Sequence, residues 1–199
     1  MSLSDGFHDV PPGKVAAVVT HLEMRAPADV RPAPTLAGMT LRRVAAPSSD
    51  WYKDLFRRVG AEDWLWFSRL RMEDTALKAI IADPRVHIYT LIREGVDEGL
   101  LELDFREAGE CELAFFGVSK NLIGTGAGRF LMNHAIEKAW KEPIIRFHVH
   151  TCTLDSPQAL PFYIRSGFTP TRQQVEIADD PRLSGLLGAN AGPHVPVFR

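Results

Sequence analysis

Between Cys111 and Trp140 an apolar run, three glycines spaced by single residues, and an amphipathic run follow one another without a gap. Residues Cys111 to Val118 are short, apolar and aromatic, and are bounded by Gly109 and by Lys120 and Asn121, which predicts a largely buried strand. From Ala127 the period changes. Leu131, Ala135 and Ala139 form one row four residues apart, and Met132, Ile136 and Trp140 an adjacent row. Arg129, Asn133, Glu137 and Lys138 fall opposite, so a helix is predicted here. Gly124, Gly126 and Gly128 occupy the junction.

Glycines let backbone approach a ligand with no Cβ in the way, and the free N–H groups at a helix N-terminus favour a phosphate or diphosphate. The junction therefore reads as an anion cradle, with a plain tight turn as the alternative. Two familiar cradles fit poorly. A dinucleotide fingerprint needs G-x-G-x-x-G, whereas here the third glycine comes one residue early and Arg129 follows; a P-loop needs G-K-[ST].

The segment resembles the central motif of the GNAT superfamily of acyl-CoA N-acyltransferases, in which a strand ending in Val is followed by Q/R-G-x-G-x-G/A opening a helix. Gly124, Gly126 and Gly128 match, and Ile123 stands at the Q/R position. Downstream, Asp155 to Phe168 is similar to the second signature, N-x-x-A-x-x-x-Y-x-x-x-G-F, with Ala159, Tyr163, Gly167 and Phe168 in place and Ser156 where Asn is usual. Two ordered motifs are more specific than either alone. The resemblance covers roughly residues 39 to 177 and implies an α/β (α+β) fold: a central mixed, mostly antiparallel sheet, flanked by helices and splayed around the central strand.

Composition sets the bounds. At 199 residues and 45% hydrophobic content the chain can bury one sizeable core, so a single domain over 1–199 is expected, with a core at about 39–177, an N-terminal strand extension at 14–24 and an irregular tail at 178–199. The net charge of −2 gives no global basic field, and nucleic acid is not a favoured partner. Only Cys111 and Cys152 are present, both in apolar runs, suggesting buried thiols in a reducing compartment. No apolar run approaches the roughly 18 residues of a membrane span, so a cytoplasmic protein with no membrane partner is expected.

In chain order, strands are predicted over Lys14 to Met24 and Met39 to Ala45, joined by a Pro-containing linker. Ser48 or Ser49 offers an N-cap to a helix over Trp51 to Val59, and Glu73 to Ala82 reads as a second helix stopped by Asp83 and Pro84. A hairpin follows, with strands at Val86 to Ile92 and Leu100 to Phe105 and a turn at Gly95 to Gly99. Ile144 to Thr153 alternates, with Arg146, His148, His150 and Cys152 on one face. His148, His150 and Cys152 are poor zinc ligands, because neighbours on one strand face stand about 6–7 Å apart and ligands must converge within about 2.3 Å of the metal. Ser156 to Ser166 is predicted helical, capped by Asp155 or Ser156 and kinked at Pro161; Phe168 to Ile177 is the last strand, and Val195 to Phe198 could add an edge strand.

The resemblance implies an N-acetyltransferase that moves an acetyl group from acetyl-CoA to a primary amine of a small molecule; a catalytically silent acyl-CoA sensor of the same fold is the alternative. No metal is implied, and a homodimer is left open. The resemblance assigns the donor site to Phe116, Gly117 and Val118 on the strand, to Ile123, Gly124, Thr125, Gly126, Ala127, Gly128 and Arg129 in the loop, and to Ser156. The Val118 N–H would polarise the thioester oxygen. Tyr163 matches the family's general acid, and Glu112 is the candidate base, with an exposed strand-end charge as its equal alternative. Trp64, Trp66 and Phe67 are candidates for the acceptor wall, against ordinary core, and His150 for a residue near the reacting centre.

Overall fold

The computed structural model describes residues 3–34 and 36–199. Strands β1 (Lys14–Met24) and β2 (Met39–Val44) come first. Helix α1 (Ser49–Phe56) follows, runs into a π-helical turn over Arg57–Ala61, and is succeeded by the short α2 (Glu62–Trp64) and α3 (Ser68–Arg71). Next come α4 (Asp74–Ile81) and the strands β3 (Val86–Arg93), β4 (Val96–Asp104) and β5 (Glu110–Val118). Helix α5 (Ala127–Ala139), β6 (Arg146–Cys152), α6 (Ala159–Arg165) and β7 (Thr169–Asp179) complete the order.

The seven strands form one sheet in the order β2-β3-β4-β5-β6-β1-β7. Every neighbouring pair is antiparallel except β5 and β6. The sheet matches the expected mixed, mostly antiparallel, helix-flanked architecture. The stretch read as an N-terminal extension lies inside it: β1 pairs with β6 through Val19–Cys152 to Met24–Phe147 and with β7 along nearly its whole length.

Alternation along β4 sends neighbouring side chains to opposite faces. Leu100 joins Tyr52, Leu55, Phe56, Leu77 and Ile81 on the side of α1 and α4; Leu101 and Leu103 join Leu131, Met132, Ala135, Phe147 and Tyr163 under α5 and α6. Helix α1 is anchored locally. Ser48 Oγ accepts the Trp51 N–H at 3.2 Å, an N-cap that contributes about 1 kcal/mol.

Four local readings are corrected. The hairpin turn is Glu94–Gly95, with φ of 51° and 79°, so β4 begins at Val96 and Gly99 lies within it; a two-residue turn of this type needs positive φ at both positions, and Glu rarely adopts it. Helix α6 begins at Ala159 because Asp155 is engaged elsewhere, accepting from the Thr151 hydroxyl, the Cys152 N–H and the Trp66 indole N–H. Pro161 therefore falls in the first turn, where no intrahelical partner is lost and no kink is required. The tail forms no edge strand; Gly13 N–H donates to Phe198 O at 3.0 Å, and the buried Arg182 donates to the carbonyls of Ala191, Val195 and Pro196.

Candidate active site

Strands β5 and β6 pair only from Glu110–Arg146 to Glu112–His148 and then part. A bulge helps them do so. Glu102 faces Phe115 and Leu103 faces Leu113, so Ala114 is an extra residue on β5 that bends the strand. The gap opens into a cleft of ≈ 420 Å³, walled by Leu113 to Val118 on one side and by Val149, His150 and Cys152 on the other.

Backbone orientation along β5 follows from one hydrogen bond. Ser119 N–H donates to Glu98 O at 2.8 Å, toward β4. By strand alternation the N–H groups of Val118 and Phe116 point the other way, into the gap. Gly117 is needed here for a separate reason: a Cβ on it would press on Val59 and the Trp66 ring.

At one end of the cleft lie Ile123, Gly124 and Gly128, where α5 begins. The N-cap residue of α5, Gly126, has no side chain to offer, and beyond Ala127 N–H, which Thr125 Oγ1 takes, the N–H groups of Gly128 and Arg129 have no partner among the described residues. Added Cβ atoms at Gly124 and Gly128 would meet nothing within 4 Å, which leaves room for a ligand to approach the backbone. The remaining loop residues do other work. Thr125 Oγ1 donates to Leu122 O at 2.8 Å and accepts from Ala127 N–H, bracing the turn. Gly126, at φ 89°, lies under the Pro34 ring, which a Cβ would strike. Ala127 is fully buried, and Arg129 donates to Ser166 Oγ at the end of α6 at 2.9 Å.

The buried Tyr163 of α6 and His150 of β6 both line the cleft. Burial, and then the Asp155 carboxylate, push the Tyr163 phenol above its ordinary value, so it stays protonated and able to donate. Glu112, expected at the reacting centre, sits behind His150, its Oε1 3.5 Å from His150 Nδ1. That hydrogen bond raises the His150 pKa and lowers that of Glu112. His148 instead faces Glu110 at 3.5 Å. Among the described residues no group of three or more His, Cys, Asp or Glu is placed to hold a metal ion. Burial pushes the Cys152 thiol up to about 11, leaving it protonated and a poor nucleophile.

The far end is aromatic. Trp64, Trp66, Phe67 and Phe115 line it, with Trp66 packed 5.4 Å from both Phe56 and Phe115. Gly60 admits the indole, since a Cβ there would collide with it. Trp66 Nε1 in turn donates to Asp155 at 2.9 Å, and Ser156 lies beside that carboxylate on the cleft wall. Asp155 and Glu176 add acidic groups that no motif pointed to. Glu176 comes from β7, two strands beyond β6, and only the sheet order brings it here.

Residues 49–168 match the model of the acetyltransferase (GNAT) family. No curated protein matches the chain. Solved structures of similar fold include a GCN5-related N-acetyltransferase from Kribbella flavida, with TM-score 0.55 and 17% identity over 87% of this chain and 63% of that one. Another, from Sphaerobacter thermophilus, gives 0.59 and 15% over 85% of this chain and 53% of that one. An aminoglycoside acetyltransferase from an uncultured soil metagenomic sample, solved in complex with trehalose, gives 0.52 and 16% over 70% and 93%. The chain thus spans under two thirds of the length of the first two. Among the described residues no helix is long and apolar enough to cross a membrane.

Proposed function

The chain belongs to the GNAT family of acetyltransferases, and on that premise we propose that it transfers an acetyl group from acetyl-CoA to the primary amine of a small molecule by direct attack on the thioester. One observation carries this reading: the β5–β6 gap has glycine-lined helix amides at one end and an imidazole and a phenol along its walls. The amides of Gly124, Gly126, Gly128 and Arg129 hold the diphosphate, those of Thr125 and Ala127 being taken by Leu122 O and Thr125 Oγ1, and the outward N–H and C=O groups of Phe116 and Val118 pair with the pantetheine arm. Val118 N–H stabilises the oxyanion as the tetrahedral centre forms.

An alkylamine arrives protonated, with a pKa near 10.4, and cannot attack until it is neutral. Asp155 and Glu176 supply the charge that attracts it, and the aromatic wall accommodates an apolar body. His150 takes the proton, and Glu112 orients the ring and stabilises its charged form. Tyr163 gives a proton to the leaving thiolate. The protonated Cys152 thiol supports direct attack over a cysteinyl intermediate. The aminoglycoside enzyme of similar fold supports a small-molecule acceptor, and the two unpaired thiols support a cytoplasmic setting.

A thiol-release assay with acetyl-CoA and a panel of aryl- and alkylamines tests this. Release that depends on an amine is expected. Tight acetyl-CoA binding with no acceptor-dependent release would instead favour a silent acyl-CoA sensor.

A further inference from the structure

Three arginines lie together where α6 ends, one of them, Arg165, on the cleft wall, and none has a carboxylate within 4 Å among the described residues. Arg165, on the last turn of α6, lines the cleft together with Gly124 and Gly128. Arg31 reaches Arg165 from the segment between β1 and β2. Its position is held at both ends: Asn133 Nδ2 of α5 donates to Arg31 O at 2.7 Å, and an Arg31 guanidinium N–H donates to Arg165 O at 3.2 Å. Arg129 lies over the Phe162 ring at 4.7 Å and donates to Ser166 Oγ. By contrast Arg69, Arg106, Arg146 and Arg182 each face a carboxylate.

Clustered cations with no counter-charge repel one another, and a bound anion relieves the repulsion. The repulsion is visible in Arg129, whose pKa is lowered by burial and then by Arg31 and Arg165. We propose that Arg31, Arg165 and Arg129 form the seat for the 3′-phosphate of coenzyme A, beyond the diphosphate held by the α5 amides. This rests on the acetyl-CoA reading of the cleft. A diphosphate can be held by main-chain N–H groups. A phosphomonoester carries nearly two charges at neutral pH and suits planar guanidinium forks. On the carrier the two groups are separated only by a ribose, and here Arg165 lines the cleft with Gly124 and Gly128 while Arg31 and Arg129 stand beside it. The segment before β2, outside the resemblance to known motifs, thereby becomes part of the donor site through Arg31.

The test is titration calorimetry of coenzyme A and 3′-dephospho-coenzyme A against the wild type, Arg31→Ala, Arg31→Lys and Arg165→Ala. The wild type is expected to prefer coenzyme A by about tenfold or more at low salt, with the preference shrinking as salt is raised. Arg31→Ala and Arg165→Ala should weaken coenzyme A binding and leave 3′-dephospho-coenzyme A unchanged, while Arg31→Lys keeps part of the preference. Equal affinity of the wild type for both, or an undiminished preference in the alanine variants, overturns the assignment and leaves the donor reading standing. Failure of the wild type to bind either compound overturns both.

Discussion

His150 Nδ1 lies 3.5 Å from Glu112 Oε1, with the imidazole on the cleft wall and the carboxylate behind it on the neighbouring parallel strand. The pair divides the work of a base, since the ring meets the amine and the carboxylate sets its orientation and basicity. The Glu112 hydrogen bond raises the His150 pKa, with Asp155 and Glu176 adding to it. Only the neutral ring accepts a proton, so kcat/KM should rise with pH along a limb above the ordinary histidine value of about 6.5. Glu112→Gln removes the carboxylate charge and should move that limb down in pH. A limb that stays where it was would remove Glu112 from this role.

Tyr163→Phe deletes the proton donor and keeps the packing of the ring against Phe116 and Phe168. Turnover is expected to fall by roughly 10²–10⁴-fold with little change in acetyl-CoA affinity. Steady-state kinetics paired with calorimetry check this, and unchanged turnover would take Tyr163 out of the mechanism.

Gly60→Ala places a methyl group in the Trp66 indole. Overpacking of this kind costs about 1–3 kcal/mol and should displace the ring from the aromatic wall. The acceptor KM should rise by more than acetyl-CoA affinity falls, because the indole packs on Phe56 and Phe115 and does not meet Gly124 or Gly128 of the diphosphate loop. Equal losses for both substrates would show that the wall does not belong to the acceptor.

Arg182→Ala removes the staple of the tail. It leaves the Asp180 carboxylate buried without its partner and strips the carbonyls of Ala191, Val195 and Pro196 of their donor. A loss of about 3–5 kcal/mol is expected, read as a lowered denaturant midpoint. A change within about 0.5 kcal/mol would show the tail to be dispensable.

What the sequence discloses here is local. The strand at Cys111 to Val118, the glycine junction and the helix after it are legible because each rests on neighbouring residues and one periodicity. Ser48 is legible as a cap for the same reason. The place of β1 is not, because its register is set by partners at 147–152 and 169–179, contacts made only once the chain has folded back. The division between His150 and Glu112 is hidden likewise. Both residues stand out individually, but which one faces the cleft depends on where β5 and β6 part. Asp155 misleads in an instructive way: beside a predicted helix it reads as a cap, and a tryptophan from α2's flank claims it instead. Arg31 gave no signal at all, since nothing in a Pro-containing linker points to the two helices that hold it.

Gly128→Asp puts the claim about the main-chain amides to its sharpest test. Gly128 is helical, its added Cβ would meet nothing within 4 Å, and it opens onto the cleft. In the first turn of α5 an aspartate favours the helix, by about 0.3–1 kcal/mol through the dipole and by roughly 0.2–0.3 kcal/mol over glycine through propensity. The same carboxylate would stand where the diphosphate docks. Thermal unfolding and acetyl-CoA calorimetry on this variant should therefore diverge, with a melting temperature equal to or above that of the wild type and an affinity lowered tenfold or more. A well-folded Gly128→Asp protein that binds acetyl-CoA as tightly as the wild type would contradict the cradle and the donor site built on it.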